Sequence, residues 1–262
     1  MTKLPMWQVD AFSARRFAGN PAAIVSLDAW LPDEILEAIA LENNLSETAY
    51  LLRDGDDYQI RWFTPLVEVS LCGHATLASA WVVFQRLEPG RRRVVFQSKS
   101  GPLPVEAEGD KLVLDFPHAK LEPATDGASI VAALGRVPRE LFAGHQWLAL
   151  YESEAEIRAI EPDMAALIAT GIHGVIVTAP GNDCDFVSRF FAPSAGVPED
   201  PTTGSAHTRL APFWAQKLGK TRFHARQLSA RGGELWCELG PAEGRVRIAG
   251  QVTPFLEGTI EI

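Results

Sequence analysis

Glu47 lies in Asn44-Leu-Ser-Glu-Thr-Ala-Tyr-Leu-Leu52, where an acidic residue follows a polar turn and opens an apolar strand. A carboxylate held against Ala49, Tyr50 and Leu51 would be partly stripped of water, its pKa would rise, and it could exchange a proton near neutral pH. The commoner fate of a strand-end glutamate is solvation, and spacing alone leaves both readings open. Two further segments place a glycine and small polar residues where a helix should begin, Gly73-His74-Ala75-Thr76 and Thr202-Thr203-Gly204-Ser205. The first amides of a helix lack partners and attract anions, so a carboxylate or phosphate suits either start. Thr203 and Ser205 could equally do no more than cap the helix.

Asp200 precedes Pro201 in a loop stiffened by two prolines, which makes it a candidate for orienting a substrate group or, equally, an Asx-turn residue. His74 at a helix start could carry a proton or serve only as a cap. Cys72 beside the same start would have its thiol pKa lowered by the helix dipole, unless it is simply buried packing.

The elements that must position these groups are mostly short strands. Apolar and polar residues alternate over 59–63, 93–97, 111–116, 174–178, 185–191, 235–238 and 245–248, which reads as mostly antiparallel sheet. Pro32 followed by Asp33 to Leu41 has helical spacing, and Glu161 to Ala169 follows the same grammar. The chain also matches itself. Leu31-Pro-Asp-Glu resembles Glu161-Pro-Asp-Met, Arg61-Trp-Phe-Thr-Pro65 resembles Arg189-Phe-Phe-Ala-Pro193, and Gly73-His-Ala-Thr with Trp81 resembles Gly204-Ser-Ala-His with Trp214. These offsets are 130, 128 and 131, in the same order, and point to a duplicated architecture.

The junction is expected where strand 111–116 gives way to Pro117-His-Ala-Lys-Leu-Glu-Pro123. That makes 1–116 one domain, completed by a return strand at 256–262, and 117–255 the other. Each half contains one nearly uniformly apolar helix, Ala75 to Arg86 and roughly Ala206 to Lys217, which must be surrounded by a strongly curved sheet. Pro212 is expected to kink or restart the second. Under the repeat offset the counterpart of Glu47 falls near Val175 to Val177, so only one half carries the acid and a single-base mechanism fits better than a symmetric one. In a duplicated protein the ligand site is expected between the halves.

Composition narrows the function further. The 262 residues include 24 basic and 33 acidic side chains, a net charge of −9 without a long run of either sign, which argues against nucleic acid or an anionic membrane as partner. No apolar stretch reaches the roughly 18–20 residues of a membrane span, and the N-terminus has no secretory core, so a cytoplasmic location is expected. Three widely spaced cysteines argue against a disulfide framework, and the histidines and cysteines show no tight metal-ligand spacing. No cofactor or metal is expected.

Four segments, Phe17-Ala-Gly-Asn-Pro-Ala-Ala-Ile-Val25, Ser46-Glu-Thr-Ala-Tyr50, Leu71-Cys-Gly-His-Ala-Thr-Leu77 and Glu199-Asp-Pro-Thr-Thr-Gly-Ser-Ala-His207, resemble the signatures of the PhzF-like isomerases of phenazine biosynthesis. The resemblance covers essentially the whole chain. It implies an α+β protein of the diaminopimelate epimerase-like fold: two pseudo-symmetric domains, each a curved mixed sheet around a central helix, with the active site in the cleft between them. It further implies that Glu47 is the acid/base, that His74, Asp200 and Ser205 line the substrate, and that Gly73, Thr203 and Gly204 supply backbone at the two helix starts. Asn20, in the first signature, is implied at the edge of the cleft. The related epimerases use two opposed cysteines. Here Asp200-Pro201 stands where the second thiol would be needed, so a dithiol racemase is not expected. The implied activity is cofactor-free proton movement on a small anionic carboxylate by a homodimer; a non-catalytic protein that binds a metabolite or a protein partner is the alternative.

Overall fold

A computed structural model describes residues 2–240 and 244–262. It divides into two compact units: the first runs to Phe116 and resumes at Arg247–Ile262, and the second is Pro117–Val246.

In the first unit the order is β1 (Lys3–Ala11), β2 (Asn20–Leu27), α1 (Asp33–Asn43), β3 (Glu47–Asp54), β4 (Asp57–Phe63), β5 (Glu68–Val69), α2 (Gly73–Val82) with a π-helical turn at Val83–Leu87, β6 (Arg93–Ser98), β7 (Gly101–Glu108) and β8 (Lys111–Pro117). The second continues with β9 (Glu122–Pro123), α3 (Ala128–Leu134), β10 (Glu140–Ala143), β11 (Gln146–Leu150), α4 (Glu154–Arg158), α5 (Met164–Ala169), β12 (Gly174–Pro180), β13 (Phe186–Ala192), a 3-10 turn, β14 (Val197–Asp200), α6 (Gly204–Leu218), β15 (Arg222–Gln227) and β16 (Gly233–Leu239). The chain passes back to the first unit within β17 (Arg245–Gly250) and ends in β18 (Val252–Glu261).

The strand pairings of the two units repeat one another. In the first, β1 is antiparallel to β2, β2 parallel to β3, β3 antiparallel to β4, and β4 antiparallel to β5 and parallel to β6. In the second, β10, β11, β12, β13, β14 and β15 follow the same sequence of antiparallel and parallel neighbours. Most of these pairings are antiparallel, as expected, and the parallel ones make the sheets mixed, because α1 and α2, and likewise α4–α5 and α6, carry the chain across between parallel neighbours. An α+β protein of the diaminopimelate epimerase-like class results.

The motif shared by Arg61 and Arg189 has a structural cause. Arg61 makes a two-pronged ion pair with Glu68 on β5, at 2.8 Å for both bonds, and Arg189 does the same with Glu199 on β14, at 2.7 and 3.0 Å. Each fork fastens the short strand that leads into the buried helix of its unit, and planar guanidinium–carboxylate geometry fixes its angle.

Both helices are buried on nearly every side, as their composition demands. Residues 74–80 and Val82 of α2 are all buried, and the helix packs on β1, β2, β3 and β18. By contrast α1 buries only Leu36, Ile39 and Ala40, while its acidic residues face outward. Expectations failed at three points. Helix α5 starts at Met164, with Asp163 as its cap accepting from the Ala166 N–H at 2.9 Å. The return to the first unit starts at 247 rather than 256, because β18 pairs with β1 from Val252 to Glu261. Pro212 neither breaks nor restarts α6, which runs unbroken from Gly204 to Leu218. The carbonyl that Pro212 leaves without a helical partner, that of Thr208, accepts instead from the Ala119 N–H at 3.2 Å.

Candidate functional site

Backbone constraints bring three side chains of the first unit together. Gly19 has φ +70°, and a Cβ there would stand 2.2 Å from the Ala11 carbonyl oxygen, so only glycine lets β2 begin at Asn20. Asn44 ends α1 in the left-handed conformation (φ 49°), which turns the chain so that β3 opens at Glu47 opposite Ala22. The Tyr50 hydroxyl ties the new strand to α1 by donating to the Leu36 carbonyl at 2.6 Å. His74 is the second residue of α2, two positions after its N-cap Cys72.

The His74 ring is the centre of this cluster. Its Nε2 lies 3.1 Å from Glu47 Oε2, at ion-pair distance but without hydrogen-bond alignment. On the opposite nitrogen, Nδ1 lies 3.2 Å from the Asn20 side-chain amide and 3.5 Å from Cys72 Sγ. Burial opposes a charge on this ring, but the Glu47 carboxylate beside it outweighs that cost and holds the His74 pKa above the usual imidazole value. His74 is sealed from solvent, whereas the Glu47 side chain keeps 16% of its exposure. The carboxylate can therefore meet a ligand from outside while its back is fixed by the imidazole. The expectation of a purely apolar wall around Glu47 is corrected: a ring that favours its charged form stands beside it.

Of the two readings of Cys72, the structure favours buried packing. Burial first, and then the Glu47 charge, push its thiol up to about 11, so the helix dipole does not make it a thiolate. One atom each from Glu47, Cys72 and His74 lie within 4.8 Å of one another, a donor set that could in principle take a soft divalent metal. The sulfur and the carboxylate address opposite nitrogens of one ring, however, which suits passage of a proton along the row better than a shared metal.

In the second unit the corresponding position is built differently. Glu47 pairs with Ala22 in register as Gly174 pairs with Gln146, so the counterpart of the acid is Gly174, just before the expected Val175–Val177. A Cβ at Gly174 would lie 2.7 Å from the Phe190 ring and 2.8 Å from the Phe191 carbonyl oxygen, so no acidic side chain fits there. Likewise Thr203, the N-cap of α6, is the counterpart of Cys72, which moves the missing second thiol from Asp200-Pro201 to Thr203. Four residues beyond each N-cap, Thr76 and His207 bind the N-cap carbonyl in the same way. Thr76 Oγ1 donates to the Cys72 carbonyl at 2.5 Å, and His207 Nδ1 to the Thr203 carbonyl at 2.8 Å. His207 is fully buried against Phe186 and its pKa is pushed down to about 4 by burial, so it is a neutral packing histidine.

The loop before α6 is held by a residue that sequence reasoning missed. Buried Gln227 accepts from the Thr203 N–H at 2.9 Å and donates to the Asp200 carbonyl at 2.7 Å and to Thr203 Oγ1 at 3.1 Å. Thr203 Oγ1 in turn donates to the Asp200 carboxylate. Ser205 Oγ accepts from Gln146 Nε2 at 3.2 Å. Gln146 could have been found only by extending the repeat through the strand register, and Arg209, which bonds to it, only by asking why a cation interrupts an apolar helix.

The family model for phenazine biosynthesis-like proteins matches residues 9–258, and the chain belongs to that family. An uncharacterized isomerase of Pseudomonas aeruginosa is 52% identical over 262 residues, covering 99% of both chains. The crystal structure of a PhzF-family phenazine biosynthesis protein from Enterococcus faecalis superposes with a TM-score of 0.95 at 42% identity over all of both chains. A hydroxyproline epimerase of Agrobacterium vitis with bound trans-4-hydroxy-L-proline shares the fold, with a TM-score of 0.67 at 12% identity over 98% of this chain and 92% of its own. The relatives support assignment to an isomerase class. No helix among the described residues is long and apolar enough to cross a membrane.

Proposed function

We propose that the chain is a cofactor-free isomerase in which Glu47 takes a proton from a carbon of a small carboxylate-bearing substrate and returns it at another position. One observation carries this reading: a partly exposed carboxylate stands 3.1 Å from a sealed imidazole whose surroundings favour its charged form. The carboxylic acid formed when Glu47 takes the proton is the group that returns it, and the imidazole stands at its back. Asn20 and the Cys72 thiol hold the ring from its other edge.

In this reading the amide at Gly204, with the Ser205 hydroxyl, binds the substrate's anionic group, and Asp200 acts through Thr203 by setting the start of α6. The absence of an acid at Gly174 makes the mechanism single-base. A cytoplasmic homodimer completes the proposal; light scattering should give twice the 28.6 kDa of one chain.

The test is solvent-deuterium incorporation. The purified protein is screened against small cyclic and aliphatic carboxylates in D2O, and any hit is repeated with Glu47→Gln, which keeps the shape and removes the base. Exchange should fall by about 10²-fold or more. Wild-type exchange in the Gln variant would remove Glu47 from the mechanism.

A further inference from the structure

Arg209 is a cation placed where a cation should not rest. It lies in the second turn of α6, in a helix otherwise buried for its apolar character, and only 9% of its surface is exposed. Among the described residues it forms no ion pair with a carboxylate. Its protein contacts come from one nitrogen: Nη1 donates to Gln146 Oε1 at 3.0 Å and to the Ser205 carbonyl at 3.4 Å. Nε is buried without a partner, and Nη2 makes no bond among the described residues yet is not sealed off. Burial lowers its pKa without any charge opposing the loss. A buried guanidinium with no counter-charge costs stability, and such a cost is retained where a ligand supplies the missing charge.

The surroundings are arranged for an oxyanion. Gln146 spends its carbonyl on Arg209 Nη1 and its amide on Ser205 Oγ, so it fixes both groups at once. Ser205 Oγ, used there as an acceptor, keeps its own proton to donate. Beside them the His145 and His173 rings stack at 4.4 Å, both exposed, with Arg209 adding its field at His173. All of this stands at the first turns of α6, where backbone amides lack helical partners.

We propose that Arg209 and Ser205, fixed by Gln146, form the carboxylate-recognition site of the second unit, and that the substrate presents a carboxylate to them. Two donors on residues tied to the same Gln146 side chain, Nη2 and the Ser205 hydroxyl, match the two oxygens of a carboxylate better than the three terminal oxygens of a phosphate. The proposal rests on the reading that the α6 start meets substrate, and it divides the labour of a duplicated fold. The position that carries Ala78 in the first unit carries Arg209 in the second, and the position of His74 carries Ser205.

The probe is malonate, with inorganic phosphate as comparison, followed through the Arg209 Nε–H resonance and by thermal shift on the full chain. Malonate should move that resonance and raise the melting temperature. Arg209→Gln should weaken malonate binding about tenfold or more, and Arg209→Lys, which keeps charge but not the fork, should restore only part of it. Ser205→Ala should weaken it less. Since Arg209→Gln removes a buried unpaired charge, it should fold at least as well as the wild type, a result a purely structural arginine would not give. Unchanged malonate affinity in Arg209→Gln, an unmoved Arg209 resonance in the wild type at saturating malonate, or tighter binding of phosphate than malonate would each overturn the assignment. Glu47→Gln should bind malonate normally, so loss of proton exchange in that variant and loss of anion binding at Arg209 are read separately.

Discussion

His74 Nε2 stands 3.1 Å from Glu47 Oε2 while Cys72 Sγ stands 3.5 Å from the other nitrogen of the same ring. A carboxylate and a neutral thiol thus flank an imidazole sealed from solvent, and this arrangement governs both the pH response and the thiol chemistry of the first unit.

The His74 pKa is raised on folding, so the folded chain holds a proton that the unfolded chain releases near the ordinary imidazole value of 6.5. The stabilising increment is therefore full below about 6.5 and is lost as pH climbs through the raised folded value. Urea midpoints taken from pH 6 upward should fall for the wild type more steeply than for His74→Asn. Parallel curves would mean that the ring does not stay protonated.

Cys72 should be slow toward iodoacetamide at pH 8, because its thiol is buried and pushed up to about 11. Cys184 is held at a similar value, and burial raises Cys237 as well. Mass spectrometry should find the native chain modified far more slowly than the urea-unfolded chain, which exposes all three thiols. Rapid native labelling at Cys72 would restore it as a nucleophile.

Gly174→Ala should destabilise the second unit by about 1–3 kcal/mol, since the added methyl meets the Phe190 ring and the Phe191 carbonyl oxygen at under 3 Å. Chemical denaturation measures it directly. A neutral result would mean that β12 and β13 can separate locally, and that an acid could then be accommodated opposite Gln146.

Arg189→Ala should cost about 2–4 kcal/mol, because it strands the Glu199 carboxylate and leaves the Ile157 and Ile160 carbonyls without the donor they share at 3.1 and 2.7 Å. Arg189→Lys should recover only part, as one ammonium cannot reproduce the fork. If Lys restored full stability in denaturant titrations, the two-pronged geometry would not matter.

The sequence alone determined what is local and periodic. Alternating strands, the two all-apolar helices and three motif pairs at nearly one offset establish the duplication, because each depends on neighbours a few residues apart. The family signatures mark Glu47, His74 and the two helix starts. Tertiary structure decided the rest. Which residue of the second unit corresponds to Glu47 is a matter of register, and register gave Gly174, paired with Gln146. The Pro212 helix survives because a residue ninety-odd positions earlier, Ala119, satisfies the carbonyl that the proline leaves open. Between a reactive and a packing Cys72, burial and a carboxylate distant in sequence decided for the second. Nothing in the sequence singles out Arg209; its burial, without an ion pair to a carboxylate among the described residues, depends on everything packed around it.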